Sequence, residues 1–156
     1  MQENIIIFLI IIGFSVCAIF AISHAPIYPL KKAYRNKIQE NGVIHFTSPE
    51  SASLILKAHS LKGAISDFEK LLGPLIWTYE YNNKQEMELK HDYLLKKKRG
   101  KDDPKNFSVC LKITGLSDKA ISQTYTRYGV FNDKPIVFKS DYIYPQNIEI
   151  IKEWKY

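Results

Sequence analysis

Leu75–Leu95 reads LIWTYEYNNKQEMELKHDYLL, and its periodicity decides the fold class. In Leu75–Tyr81 the residues Trp77, Tyr79 and Tyr81 alternate with Ile76, Thr78 and Glu80, the period of two expected of a strand. In Glu86–Leu95 the residues Met87, Leu89, His91, Tyr93 and Leu95 alternate with Glu86, Glu88, Lys90 and Asp92. Asn82-Asn83-Lys84 between them is turn chemistry, because Asn tolerates positive φ. The reading is a hairpin with one wet face, and therefore an antiparallel sheet.

Helix signals flank it. Ser48-Pro49-Glu50 supplies a cap, a first-turn proline and an acid that complements the helix dipole. Leu54, Ala58, Leu61, Ile65, Phe68 and Leu72 then form a stripe ending at Gly73-Pro74, with Gly63 as a kink. This face is expected to pack on the domain's own sheet; a seam for a partner helix is the alternative. Downstream, Phe107, Val109, Leu111 and Ile113 share one face of a strand broken by Gly115. Ser117 starts a second helix, with Leu116 and Ile121 as a hydrophobic staple and Tyr125 and Tyr128 on its buried face up to Gly129. Strands at Pro135–Lys139 and Ile148–Tyr156 close the chain, and Val43–Thr47 is a short one before the first helix. The expected fold is α+β: about five antiparallel strands packed by two helices, in the order (β)αβββαββ.

Ahead of this domain lies an uncharged run of 18 residues, Ile5–Ile22. As a helix it spans ~27 Å, near the hydrocarbon thickness of a bilayer. The expected organisation is a flank at 1–4, a transmembrane helix at 5–22, a basic membrane-proximal linker at 23–42 and the domain at 43–156. A cleaved signal peptide is the competing reading, with Ala21-Ile22-Ser23 as its site, but Met1-Gln2-Glu3-Asn4 carries no basic side chain. Lys31, Lys32, Arg35 and Lys37 follow the run, so the positive-inside rule puts the domain on the cytoplasmic side of the inner membrane. Cleavage would instead release it to the periplasm or the exterior. Tyr28 is placed as an interfacial anchor, and Pro26 and Pro29 end the hydrophobic helix. Lys31 to Glu40 forms a short basic helix ended at Asn41-Gly42.

The chain has 156 residues, a formal charge of +6 and two cysteines, Cys17 and Cys110. Cys17 lies in the hydrophobic run, out of reach of Cys110, which excludes an intrachain disulfide framework. The histidines are His24, His45, His59 and His91, and no nucleophile, metal or phosphate-loop motif surrounds them. No cofactor is implied. Asp102-Asp103-Pro104 reads as a turn. The run Lys96, Lys97, Lys98, Arg99, Gly100, Lys101 reads as a basic loop. With Lys31, Lys32, Arg35 and Lys37 it forms the candidate contact with anionic lipid, each basic residue near such a leaflet contributing about 1 kcal/mol. A nucleic-acid partner is not expected, since a basic run alone is weak evidence for one.

Ten tyrosines are many, and eight lie at or beyond Tyr79. Tyr142 and Tyr144, in the segment Asp141–Pro145 between two strands, are the candidate protein-partner interface. The expected function is a non-enzymatic, membrane-tethered interaction module, either an accessory subunit of a membrane complex or a small partner-binding or neutralising protein. The alternative is an exported, hydrolase-like enzyme with His91 or His45 as its base.

Overall fold

The computed structural model describes residues 27–65, 72–98, 103–127 and 134–156, with the side chains of Lys98 and Arg127 left out. The run Ile5–Ile22 lies outside the described residues, and so do Phe68, Tyr128 and Gly129 of the expected helix faces.

The protein is α+β and its main sheet is antiparallel throughout. The described elements are β1 (Ile27–Pro29), α1 (Lys32–Asn41), β2 (Val43–Thr47), α2 (Pro49–Ala58), β3 (Leu61–Lys62), β4 (Leu75–Glu80) and α3 (Lys84–Lys98). After a 3-10 turn at Pro104–Phe107 come β5 (Val109–Thr114), α4 (Asp118–Ser122), β6 (Thr124–Arg127), β7 (Ile136–Lys139), β8 (Tyr142–Ile143) and β9 (Asn147–Glu153). Seven strands join in the order β1-β6-β7-β4-β2-β5-β9, while β3 and β8 pair separately. The sheet is wider than the five strands expected.

Both faces of the sheet are covered. On one, Ile38 of α1, Ala52 of α2 and Ala120 and Ile121 of α4 meet Val43, Ile76, Leu111, Ile113, Phe138 and Ile148. On the other, Met87 and Leu94 of α3 meet Ile44, Phe46 and Cys110. Burying this apolar surface, at roughly 25 cal/mol per Å², is the main driving force for the fold.

Several local readings hold to the residue. Ser48 caps α2, its Oγ accepting from the Ser51 N–H at 3.2 Å. Ser117 caps α4 in the same way through the Ala120 N–H at 3.2 Å, and Leu116 and Ile121 are both buried as the staple requires. Gly42 ends α1 at a φ of 77°, and a Cβ there would run into the Ile113 carbonyl.

Four readings are corrected. Glu86–Leu95 is not the second strand of a hairpin but the body of α3, and β4 pairs instead with β7 and β2. Asn83 is a helix cap rather than a turn residue: its Oδ1 accepts from the Glu86 N–H at 2.9 Å, and its Nδ2 donates to Glu86 Oε1. The Glu, Lys, Gln, Leu and Met that follow are strong helix formers. Met87, His91 and Leu94, spaced four and three apart, point inward, while Leu89 is 63% exposed. The continuation of α3 to Lys98 also places Lys96–Lys98 in a helical last turn, not in a loop, where their charge complements the dipole.

The second correction concerns α2, which stops at Ala58. His59 takes a left-handed conformation (φ 50°), and Leu61 enters the core by pairing with Ile143. Its inward residues are Ala52, Ile55 and Leu56, so Leu54 of the expected stripe is exposed. The third is α4, which ends at Ser122. Thr124–Arg127 turns into β6 between β1 and β7, and Thr124 Oγ1 donates to the Ile121 carbonyl at 2.6 Å. The fourth is the segment read as a linker. From Ile27 it belongs to the fold: β1 pairs with β6, and Ile38 of α1 is core.

Candidate functional site

The densest polar and aromatic grouping lies where α3 meets β9. A bulge creates it. Leu111 pairs with Ile150 and Cys110 with Lys152, leaving Ile151 as the extra residue. The extra residue shifts the alternation, so Lys152 and Trp154 come to the α3 face instead of the opposite one. The Trp154 indole N–H then donates to Glu88 Oε2 at 3.2 Å, and Lys152 Nζ lies 3.4 Å from Glu88 Oε1. The Trp154 ring stacks on His91 with centroids 3.7 Å apart and planes within 4°.

His91 is 2% exposed. Its Nε2 shares a 2.8 Å hydrogen bond with the Tyr156 hydroxyl. Its Nδ1 stands 3.6 Å from Asp92 Oδ1, too far for a hydrogen bond, and is buried without a partner among the described residues. Burial pushes the His91 pKa below its ordinary value, against the opposing pull of Asp92 and Glu88. Below it, the Cys110 thiol is pushed up to about 12, first by burial and then by Glu88. That sulfur stays a thiol and is a poor nucleophile.

His45 serves the sheet. Strands β2 and β4 pair at Val43–Glu80 and Ile44–Tyr79 and then diverge. In the gap His45 Nδ1 is 2.8 Å from the Trp77 carbonyl, so Nδ1 carries the proton and donates where a ladder bond would otherwise be. Burial lowers its pKa too. General base catalysis needs a ring nitrogen free to reach a substrate proton and a group that orients the ring. His91 has Nε2 committed to Tyr156, and its nearest acid, Asp92, is mostly exposed. No group of three or more His, Cys, Asp or Glu among the described residues could hold a metal ion.

The basic residues separate into two groups. Lys31, Lys32 and Arg35 lie at the β1–α1 corner, with Lys31 and Lys32 exposed and Arg35 half-buried. Lys37, also on α1, pairs with Glu80, and that bond raises its pKa. Lys96 and Lys97 sit at the end of α3 on the opposite face of the sheet, with Lys97 over the Tyr93 ring at 5.9 Å. The Lys98 side chain, Arg99 and Lys101 lie outside the described residues. Among the described residues, the two groups therefore lie on opposite faces of the sheet.

Tyr142 and Tyr144 are 43% and 69% exposed, and their rings stack at 6.1 Å. Lys62 sits over Tyr142 at 6.0 Å, while Ile143 between the two tyrosines is buried against Leu61. The small β3–β8 sheet thus holds two aromatic rings out from the surface.

Among the described residues no helix is long and apolar enough to cross a membrane. Comparison with family models, with curated proteins and with solved structures found no match to this chain.

Proposed function

We propose that this chain is a membrane-tethered interaction module: a hydrophobic anchor at 5–22 carrying an α+β domain that binds a protein partner at the inner membrane. The observation that carries this reading is the outward-facing pair Tyr142 and Tyr144 at the β3–β8 pairing, with Ile143 between them buried. Exposed tyrosines on a rigid element bring large contact area at small entropic cost, which suits a recognition surface. The bonding of the buried histidines adds support. His45 holds the Trp77 carbonyl and His91 holds Tyr156, so both act as structural side chains.

The test is retrieval of the full chain from detergent-solubilised membranes with its bound protein. One stoichiometric partner should come with the wild type and be lost from Tyr142→Ala/Tyr144→Ala. Equal retrieval by both chains would place the interface elsewhere. Recovery of a soluble form beginning near His24 would show export rather than tethering.

A further inference from the structure

We propose that the main sheet stands edge-on to an anionic bilayer, with its β1 edge and the start of α1 against the headgroups. This rests on the tether reading above and says which surface of the domain the tether presents to the lipid.

Ile22 closes the hydrophobic run and Ile27 opens β1, so four residues lie between them, five Cα–Cα steps in all. Fully extended, they reach ~17 Å. The first strand of the fold is therefore held within that distance of the bilayer, and β1 is an outer strand of the sheet. Strand spacing sets the distance to everything else. From β1 to β2 is four steps, ~19 Å, and to β9 six steps, ~29 Å.

The chemistry of the corner agrees with the geometry. Tyr28 is 45% exposed and Tyr34 53% exposed, and aromatic rings of this kind favour the headgroup level of a membrane. Lys31 and Lys32, both exposed, lie between them in the chain. Pro29, with no N–H, belongs on an outer strand and prevents a further strand from pairing there in full register. The second basic group is poorly placed for the same membrane. Lys96 and Lys97 end the helix that packs over β4, β2 and β5, three to five strand steps from β1, and lie on the opposite face from α1. With the sheet edge-on, the strands beneath that helix stand at least ~14 Å further from the lipid than β1, beyond the 10 Å Debye length at 0.1 M salt. Lys37 is engaged by Glu80. Lipid contact thus falls to Lys31 and Lys32, flanked by Tyr28 and Tyr34, and Tyr142 and Tyr144 remain available to a protein.

The experiment places a bimane on the full chain reconstituted in vesicles of phosphatidylcholine and phosphatidylserine whose headgroups carry a nitroxide quencher. The label is attached in turn at Tyr34→Cys, Leu89→Cys and Ile150→Cys, in a chain with Cys17→Ser and Cys110→Ala. These three sites are all exposed and lie on α1, α3 and the far edge of the sheet respectively. Quenching at residue 34 should exceed that at 89 and 150 several-fold. Lys31→Glu/Lys32→Glu should reduce it, and Lys96→Glu/Lys97→Glu should leave it unchanged. Equal or stronger quenching at 89 or 150, with the chain still embedded, would overturn the orientation while leaving the tether intact. A chain that carbonate washing strips from the vesicles would overturn the tether, and this orientation with it.

Discussion

Two aromatic groups in this protein are disposed in opposite ways. At the α3–β9 junction, Trp154 lies flat on His91, its indole N–H is taken by Glu88, and Tyr156 bonds to the far side of the imidazole. On the β3–β8 sheet, Tyr142 and Tyr144 stack on each other and face outward. Both groups come from the same tyrosine-rich end of the chain. What separates them is the strand beneath. A bulge at Ile151 turns Trp154 onto a helix, whereas regular alternation leaves Tyr142 and Tyr144 on either side of a buried Ile143. Aromatic content does not say which rings are covered and which face outward; the disposition of the neighbouring backbone does.

The largest effect expected from breaking this contrast is at Trp154. Trp154→Ala removes the cover over His91 and Phe46 and the donor to Glu88, so urea unfolding should show a loss of about 2–4 kcal/mol. A loss no larger than a typical surface substitution, within about 0.5 kcal/mol, would mean the junction is ornamental. The pH dependence should come next in size. His91 and His45 both have pKa values below the ordinary histidine value in the folded chain, chiefly through burial. The unfolded chain then binds protons more readily, so stability is full above about pH 6.5 and declines as pH falls through that value. His91→Gln should flatten this decline in part and His45→Gln in another part. An unchanged slope in both variants would break the account.

How much of this was legible in the sequence depended on whether a signal was local. Ser48, Ser117, Gly42 and the Leu116–Ile121 staple act within one helical turn, and each does in the structure what its residue type dictates. The segment Glu86–Leu95 was ambiguous because Met87 and His91 fit both a period of two and a helical face. Leu89 and Leu94 decide between them, and only the helix buries Leu94 and exposes Leu89. Leu54 and Ala58 opened a helical stripe that tertiary pairing overrode. Ile143 draws Leu61 into a strand, and Gly63, read as a kink, is where the chain passes so close to the Ser140 carbonyl and Pro74 that a Cβ has no room. The His91–Trp154–Glu88 group was not readable, since it depends on a bulge between strands distant in sequence and no residue type marks it.

A sharper probe of the junction is Cys110, which lies in the same packed layer under α3. With its thiol pushed up to about 12 and its side chain buried, it should resist an aromatic disulfide reagent at neutral pH in the native chain and react on unfolding. In Trp154→Ala the reaction should quicken. In a chain whose other cysteine is removed by Cys17→Ser, fast labelling of the native state would mean that the α3 layer opens readily.

The smallest effect on stability, and the one most informative about function, should come from the outward pair. Tyr142→Ala and Tyr144→Ala each remove an exposed side chain outside the core, so stability should change within about 0.5 kcal/mol. Ile143→Ala, one position away from either, should cost about 2–4 kcal/mol, because Ile143 is 2% exposed and packs in the main core. The alternation itself is the measurement. If the tyrosines cost little and Ile143 costs much, β8 is a support that presents two rings for some purpose other than folding, and loss of the retrieved partner in the tyrosine variants gives that purpose. If Tyr142→Ala or Tyr144→Ala costs well over about 1 kcal/mol, the stacked pair belongs to the fold as Trp154 does. The contrast between the two aromatic groups would then disappear, and the search for a partner surface would move to Leu54 and Leu89, which are 68% and 63% exposed on α2 and α3.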